Sequence, residues 1–68
     1  MKELLKDRID ILFEKAKSGD SEAQLNLAEC FYKGRLVERS LDQAKYWAFK
    51  ALMAGNANAS NLYNKIVG

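Results

Sequence analysis

Residues 19–34 read GDSEAQLNLAECFYKG, a run that opens and closes with glycine. Asp20 stands where an N-cap carboxylate accepts a hydrogen bond from a free backbone amide. Gly34 suits the left-handed backbone conformation that ends many helices. The run therefore predicts one helix over residues 21–33. Its apolar side chains recur at spacings of three and four, which predicts an inner helix face made of Ala23, Leu27, Cys30 and Phe31.

The same helix signals extend in both directions from this run. We expect a first helix over residues 2–17, a third over residues 41–54 and a fourth over residues 58–67. Ser40 and Gln43 form a capping box ahead of the third helix. Short connections require neighbouring helices to pack antiparallel. The predicted inner faces are Leu5, Ile9, Leu12, Phe13 and Ala16 in the first helix, Ala44, Trp47, Ala48 and Ala51 in the third, and Ala59, Leu62, Tyr63, Ile66 and Val67 in the fourth.

A period of 36 residues relates the two halves of the chain. Gly19 and Asp20 recur as Gly55 and Asn56 at that shift. Apolar positions also fall on apolar positions, in the pairs Ala23 and Ala59, Leu27 and Tyr63, Cys30 and Ile66, Phe31 and Val67, and Phe13 and Phe49. The chain is thus one domain, residues 1–68. It holds one complete two-helix repeat over about residues 19–55, flanked by the second helix of one repeat and the first helix of the next.

The complete repeat resembles the Sel-like repeat, a relative of the tetratricopeptide repeat. The family pattern is close to G-D-x-x-A-Q-x-N-L-G, then Y-x-x-G-x-G-V, then A-x-x-W-Y-x-K-A and a closing G. The residues that carry the resemblance here are Gly19, Asp20, Ala23, Gln24, Asn26, Leu27, Phe31, Gly34, Val37, Ala44, Trp47, Lys50, Ala51 and Gly55. The resemblance implies an all-α fold of αα-hairpin repeats, a short right-handed solenoid of four helices, and a role in scaffolding protein complexes.

Physical reasoning gives most of these positions a structural role. Small side chains let paired helices approach closely, and Trp47 and Phe31 fill the wedge between them. Val37 covers the end of the hairpin. Gln24 and Asn26 are expected to satisfy backbone groups near the helix pair. The predicted structural set is Gly19, Asp20, Ala23, Leu27, Phe31, Gly34, Ala44, Trp47, Ala51 and Gly55.

The sequence departs from the family pattern in the loop and on the third helix. Leu36 replaces the second glycine of the loop. Tyr46, Phe49 and Met53 stand where the family usually has polar residues. Two interpretations stay open for these three side chains. Either neighbouring helices wrap the third helix in a small bundle, or the three form an exposed apolar patch that binds another chain.

Composition and charge narrow the class of protein. The chain has 68 residues, 49% apolar and 29% charged, as expected of one small globular domain. The net charge of +2 comes from interspersed residues of both signs, so no block of like charge predicts binding to nucleic acid or an anionic membrane. No run approaches 18 apolar residues, so we expect no membrane span. Early charges argue against a signal peptide and a single cysteine against disulfides, so we expect a cytoplasmic protein.

Catalytic chemistry has little support in the sequence. The chain has no histidine and lacks that base at neutral pH. Cys30 would need such a base to act as a nucleophile, and its place beside Leu27 and Phe31 favours a buried thiol. Glu22 and Glu29 fit a solvated helix face better than an acid–base pair. No ligand spacing predicts a metal site and no glycine-rich loop a phosphate site. We therefore expect no enzymatic activity and no cofactor.

The expected function is binding of another protein, as a small adaptor or as an inhibitor that sequesters its partner. In related solenoids the first helices of the repeats line the concave surface, and stacking places equivalent positions side by side. The predicted contacts there are Leu25, Glu29, Tyr32, Lys33, Asn61 and Lys65. Tyr46, Phe49 and Met53 are the predicted partner or oligomer surface on the third helix. The alternative is a self-associating building block, natural or designed, with no separate ligand.

Overall fold

The computed structural model describes the backbone of residues 2–68 and the side chains of residues 8–68. Four helices follow one another: α1 (Lys2–Lys17), α2 (Ser21–Lys33), α3 (Leu41–Met53) and α4 (Asn58–Val67). No strand occurs between residues 2 and 68. The all-α prediction is confirmed, with α3 ending one residue earlier than predicted. The predicted inner-face position of Leu5 lies outside the described side chains.

Local chemistry accounts for where α2 and α3 begin and end. The Asp20 carboxylate accepts hydrogen bonds from the backbone N–H groups of Glu22 and Ala23, at 3.0 and 3.2 Å. The Ser40 hydroxyl accepts one from the backbone N–H of Gln43 at 3.3 Å. Gly34 has a φ of 75° and ends α2 by donating to the carbonyl of Cys30. The predicted cap residues Asp20, Ser40 and Gly34 are therefore confirmed, because they supply the partners that helix ends lack. The Gln43 half of the predicted capping box is wrong, since the backbone N–H of Ser40 donates to the carbonyl of Phe31 at 3.0 Å.

The core forms where α1, α2 and α3 meet. Each helix packs against the next along the chain, and α2 also contacts α4. The Phe13 ring of α1 lies edge-on to Phe31 of α2 at 6.1 Å and to Trp47 of α3 at 6.2 Å between ring centroids. Alanines allow this close approach, and the fully buried ones are Ala16, Ala28, Ala44, Ala48, Ala51 and Ala59. Phe31 and Trp47 are buried, as predicted for the two wedge residues.

The turns that precede α2 and α4 have the same backbone hydrogen bonds. In the first turn the N–H of Asp20 donates to the carbonyl of Lys15 at 3.0 Å. In the second turn the N–H of Asn56 donates to Ala51 at 3.0 Å. Each turn has a glycine of positive φ just before this residue, at 104° and 94°. Both the backbone conformation and its hydrogen bonds thus recur at a spacing of 36 residues.

The structure corrects two expectations about side-chain position. Val67, predicted on the inner face of α4, is 50% exposed, because no helix between residues 2 and 68 covers that side of α4. Tyr63 and Ile66 are only half-buried there. Asn26 was also predicted to bind backbone groups near the helix pair, but its side chain is exposed, unlike that of Gln24. The Gln24 side chain is buried and donates to the carbonyl of Ala16 at 2.9 Å.

Candidate protein-binding surfaces

The first candidate surface is the outward face of α3, made of Tyr46, Phe49 and Met53 and called the outer patch below. Their side chains are 53%, 47% and 70% exposed. Spacings of three and four place them on the helix face opposite the buried alanines. The interpretation in which neighbours wrap α3 is therefore wrong, and the exposed apolar patch is present. Its role in binding stays a prediction.

Aromatic contacts hold the outer patch in place. Tyr46 packs edge-on against Trp47 with 5.0 Å between ring centroids, and the Lys50 ammonium lies 5.5 Å from the centre of the Tyr46 ring. Phe49 contacts Tyr63 of α4 at 6.0 Å. A shallow hollow of about 460 Å³ opens between these rings, bordered by Asp42 and Lys45. Rings held this way lose little conformational entropy when a partner covers them.

The second candidate surface is the predicted concave side, on α2 and α4. The structure places all six predicted residues on these two helices, which contact each other. Lys33, Asn61 and Lys65 are exposed, and Glu29 is half-buried. Leu25 and Tyr32 are also half-buried and pack against the core. These two side chains therefore contribute to helix packing as well as to the surface.

A third surface, absent from the sequence-based predictions, is a groove of about 370 Å³ between α1, α2 and the loop after α2. Three cations meet in it: Arg8 and Lys15 of α1 and Arg35 of the loop. Glu29 supplies the carboxylate of this basic groove. The spacing of Arg8, Ile11 and Lys15 in the sequence indicates that they share one face of α1. Arg35 comes close to them only because the loop after α2 packs beside α1. Its full lining is Arg8, Ile11, Leu12, Lys15, Asn26, Glu29, Cys30, Arg35 and Leu36.

Cys30 lies at the floor of the basic groove and is buried, as predicted. Burial raises the pKa of its thiol above the ordinary value of 9.0, partly offset by the nearby charge of Arg35. Glu29 raises this pKa further and Arg8 lowers it. The thiol is therefore protonated at neutral pH, and a thiol is a far weaker nucleophile than a thiolate.

Among the side chains of residues 8–68, two buried polar atoms have no hydrogen-bond partner within that part of the chain. These are the indole N–H of Trp47 and the side-chain oxygen of Gln24. An unpaired buried donor or acceptor costs about 1–3 kcal/mol. The core therefore retains Trp47 for the volume and contacts of its ring rather than for a hydrogen bond.

Two other kinds of site were also sought in the described part of the chain. Its side chains include no group of three or more His, Cys, Asp or Glu residues able to hold a metal ion. Between residues 2 and 68, none of the helices has the length and apolar character needed to cross a membrane.

In comparisons with known proteins, no family model, no curated protein and no solved structure matches the chain.

Proposed function

We propose that this chain is a protein-binding module of the Sel-like repeat type, which acts in the cytoplasm as an adaptor or as an inhibitor that sequesters its partner. The outer patch is the observation that carries the proposal. Three large apolar side chains exposed side by side on one helix are typical of a protein-contact surface. The motif at residues 19–55 and the repeated turns support the assignment to this repeat type.

The chemistry of the side chains favours binding over catalysis. The chain contains no histidine, and burial keeps the Cys30 thiol protonated at neutral pH. The polar residues of the concave side, Glu29, Lys33 and Lys65, suit the rim of an interface, where charges steer association and select partners. We therefore propose that the module has no enzymatic activity.

The outer patch is large enough to contribute substantially to binding. Covering roughly 300 Å² of apolar surface at about 25 cal/mol/Å² provides up to ~7 kcal/mol before the costs of association. Tyrosine is also enriched among the residues that dominate interface energies. Tyr46 and Phe49 are thus the expected centre of the contact, and Met53 lies beside them.

Self-association is the second candidate function, and the same patch favours it, because a second copy is the simplest cover for an apolar face. Sedimentation equilibrium separates the two. A dimer of the wild type that is lost in Tyr46→Lys/Phe49→Glu supports self-association. A wild-type monomer directs the search to a different protein.

Site-specific photocrosslinking tests the proposal itself. A photoreactive phenylalanine analogue is placed at Met53, with the exposed α1 position Asp10 as the control. In cells, we expect a discrete crosslinked product from position 53, which disappears when Tyr46→Lys/Phe49→Glu is added. The charge-matched control pair Gln43→Lys/Asn58→Glu, at exposed polar positions, should keep it. The proposal fails if position 53 yields no product beyond that of position 10.

A further inference from the structure

Within residues 2–68, a helix covers one apolar surface, and a second copy of that surface has no helix on it. The covered surface consists of Phe13, Leu27 and Phe31 on α1 and α2, and α3 packs on it through Trp47. The corresponding residues 36 positions later are Phe49, Tyr63 and Val67 on α3 and α4. This second set is called the uncovered surface.

The uncovered surface repeats the apolar pattern of the covered one. Phe13 contacts Phe31 with 6.1 Å between ring centroids, whereas its counterpart Phe49 contacts Tyr63, which corresponds to Leu27, at 6.0 Å. The turns that orient α2 and α4 share their hydrogen bonds, as described above. The exposure differs: Phe31 is 9% exposed, whereas its counterpart Val67 is 50% exposed. The same apolar pattern on consecutive helices therefore occurs twice, and within residues 2–68 a helix covers it once.

We propose that the uncovered surface binds an amphipathic helix of a partner protein. This inference rests on the proposed protein-binding function and specifies the class of partner. The helix on the covered surface shows the required pattern, because α3 places the bulky Trp47 among Ala44, Ala48 and Ala51. The three alanines are fully buried and permit close approach of the helix axes. The partner helix therefore carries one large apolar residue with small residues three before, one after and four after it.

The α1 helix of a second copy does not meet this requirement. Its residues 36 positions before Ala44 and Ala51 are Arg8 and Lys15, both exposed. If α1 of a second copy docked in the way that α3 docks, these two cations would lie at positions where α3 has only the methyl group of an alanine. Buried unpaired charges are strongly unfavourable. A second copy that docks through α1 therefore fits this surface poorly, whereas a partner helix with the small residues of α3 fits it.

The chain itself supplies the probe, a labelled peptide of residues 33–54, which contains the loop and the α3 sequence. Fluorescence anisotropy measures its binding to the full chain. We expect Val67→Lys, which places a charge on the uncovered surface, to weaken binding by about tenfold or more. Asp10→Lys, at an exposed position on α1 outside both the uncovered surface and the outer patch, should change binding by less than about twofold. A peptide with Trp47→Ala should not bind.

A second experiment joins the peptide covalently to the chain, so that binding no longer costs the entropy of associating two molecules. Because Gly68 corresponds to Tyr32, residues 33–54 are appended directly after Gly68. We expect a higher melting temperature and slower proteolysis of the appended segment, both lost when the appended copy of Trp47 is replaced by Asp. An appended segment that is cleaved as fast as that control, together with no peptide binding, overturns the inference.

Three experimental outcomes distinguish failure of this inference from failure of the proposed protein-binding function. Peptide binding unaffected by Val67→Lys overturns the inference, since the peptide then lies elsewhere. Wild-type dimers that disappear with Val67→Lys also overturn it, because a second copy is then the occupant. If these tests fail while position 53 still crosslinks a partner, the proposed function stands and only the uncovered surface is excluded.

Discussion

The covered and uncovered surfaces differ in exposure although their residues follow the same helical pattern. Phe13 contacts two buried rings, Phe31 and Trp47, whereas Phe49 contacts only the half-buried Tyr63 among the aromatic pairs. An apolar stripe on a helix thus indicates that another element can pack on that face. Whether the face is buried depends on whether such a neighbouring element is present. In a repeat architecture the two cases occur in one chain, since each unit buries its face only against the next.

Removing the helix side chain that fills the covered surface should have the largest effect. Trp47→Ala is expected to lower the free energy of unfolding by about 3–5 kcal/mol. That loss is comparable to the whole stability of a chain of this size, about 3–5 kcal/mol, so the variant should be largely unfolded by circular dichroism. Trp47→Phe keeps a ring and removes an unpaired N–H, so its melt should stay cooperative. A cooperative melt of Trp47→Ala near the wild-type temperature would show that the covered surface does not depend on this ring.

The corresponding phenylalanines provide the direct test of the comparison. Phe13→Ala should cost about 2–4 kcal/mol, because the half-buried ring supports two others. Phe49→Ala should cost less than about 1 kcal/mol, since its ring is 47% exposed. Urea denaturation of both variants gives the two values. Equal losses would mean that the uncovered surface is packed in solution.

A substitution in the loop between α2 and α3 should have a smaller effect and should raise the free energy of unfolding. Leu36 has a φ of 68°, a left-handed conformation that costs a residue with a side chain about 1–2 kcal/mol. Leu36→Gly should therefore stabilise the protein by about 0.5–1 kcal/mol after the entropy cost of glycine. Thermal unfolding measures the change, and a lower melting temperature would contradict it.

Gly34 is the matched control in the same loop. Its φ is 75°, and an added Cβ would lie 3.3 Å from the Cβ of Arg39. Gly34→Ala should consequently destabilise the protein by about 1 kcal/mol. Opposite signs at positions 34 and 36 would confirm that backbone strain, and not loss of side-chain contacts, determines both results.

The smallest expected effect is the pH dependence due to Cys30, whose counterpart beside the uncovered surface is Ile66. Folding raises the pKa of this thiol above 9.0, chiefly through burial. Its contribution to stability is thus complete below pH 9.0 and is lost as the pH rises through the folded-state pKa. The difference in unfolding free energy between wild type and Cys30→Ala should therefore shrink as the pH rises from 9.0 through the folded-state pKa. A difference that is constant from pH 7 to pH 10.5 would contradict this.

Local signals in the sequence predicted the helices well. Asp20, Ser40 and Gly34 cap helices through bonds to their own neighbours in the chain, so their roles could be read without the fold. The inner faces of α2 and α3 followed from spacing alone. The left-handed conformation of Leu36 occurs where the resembling family has a glycine, so the pattern marked that position as well.

Predictions failed where side chains from distant elements meet. The sequence places Arg8 and Arg35 far apart, and only the packing of α1 beside the loop brings both to one groove. Val67 has the helical phase of an inner residue, but burial also needs a neighbour on that side. Helical periodicity and capping residues therefore predict which side chains share a helix face. Which side chains line a groove, or are buried at the end of the bundle, depends on how the helices pack in three dimensions.

The packing of each helix on its neighbour in the chain also has a consequence for the time the protein needs to fold. A search for distant partners is slow because long loops must close before contacts form. Here each helix finds its main partner after a loop of only a few residues, which is a low contact order, and helical domains of this kind fold in microseconds to milliseconds. Newly made chains thus expose their core side chains only briefly before the core forms, which limits aggregation. The outer patch stays exposed after folding.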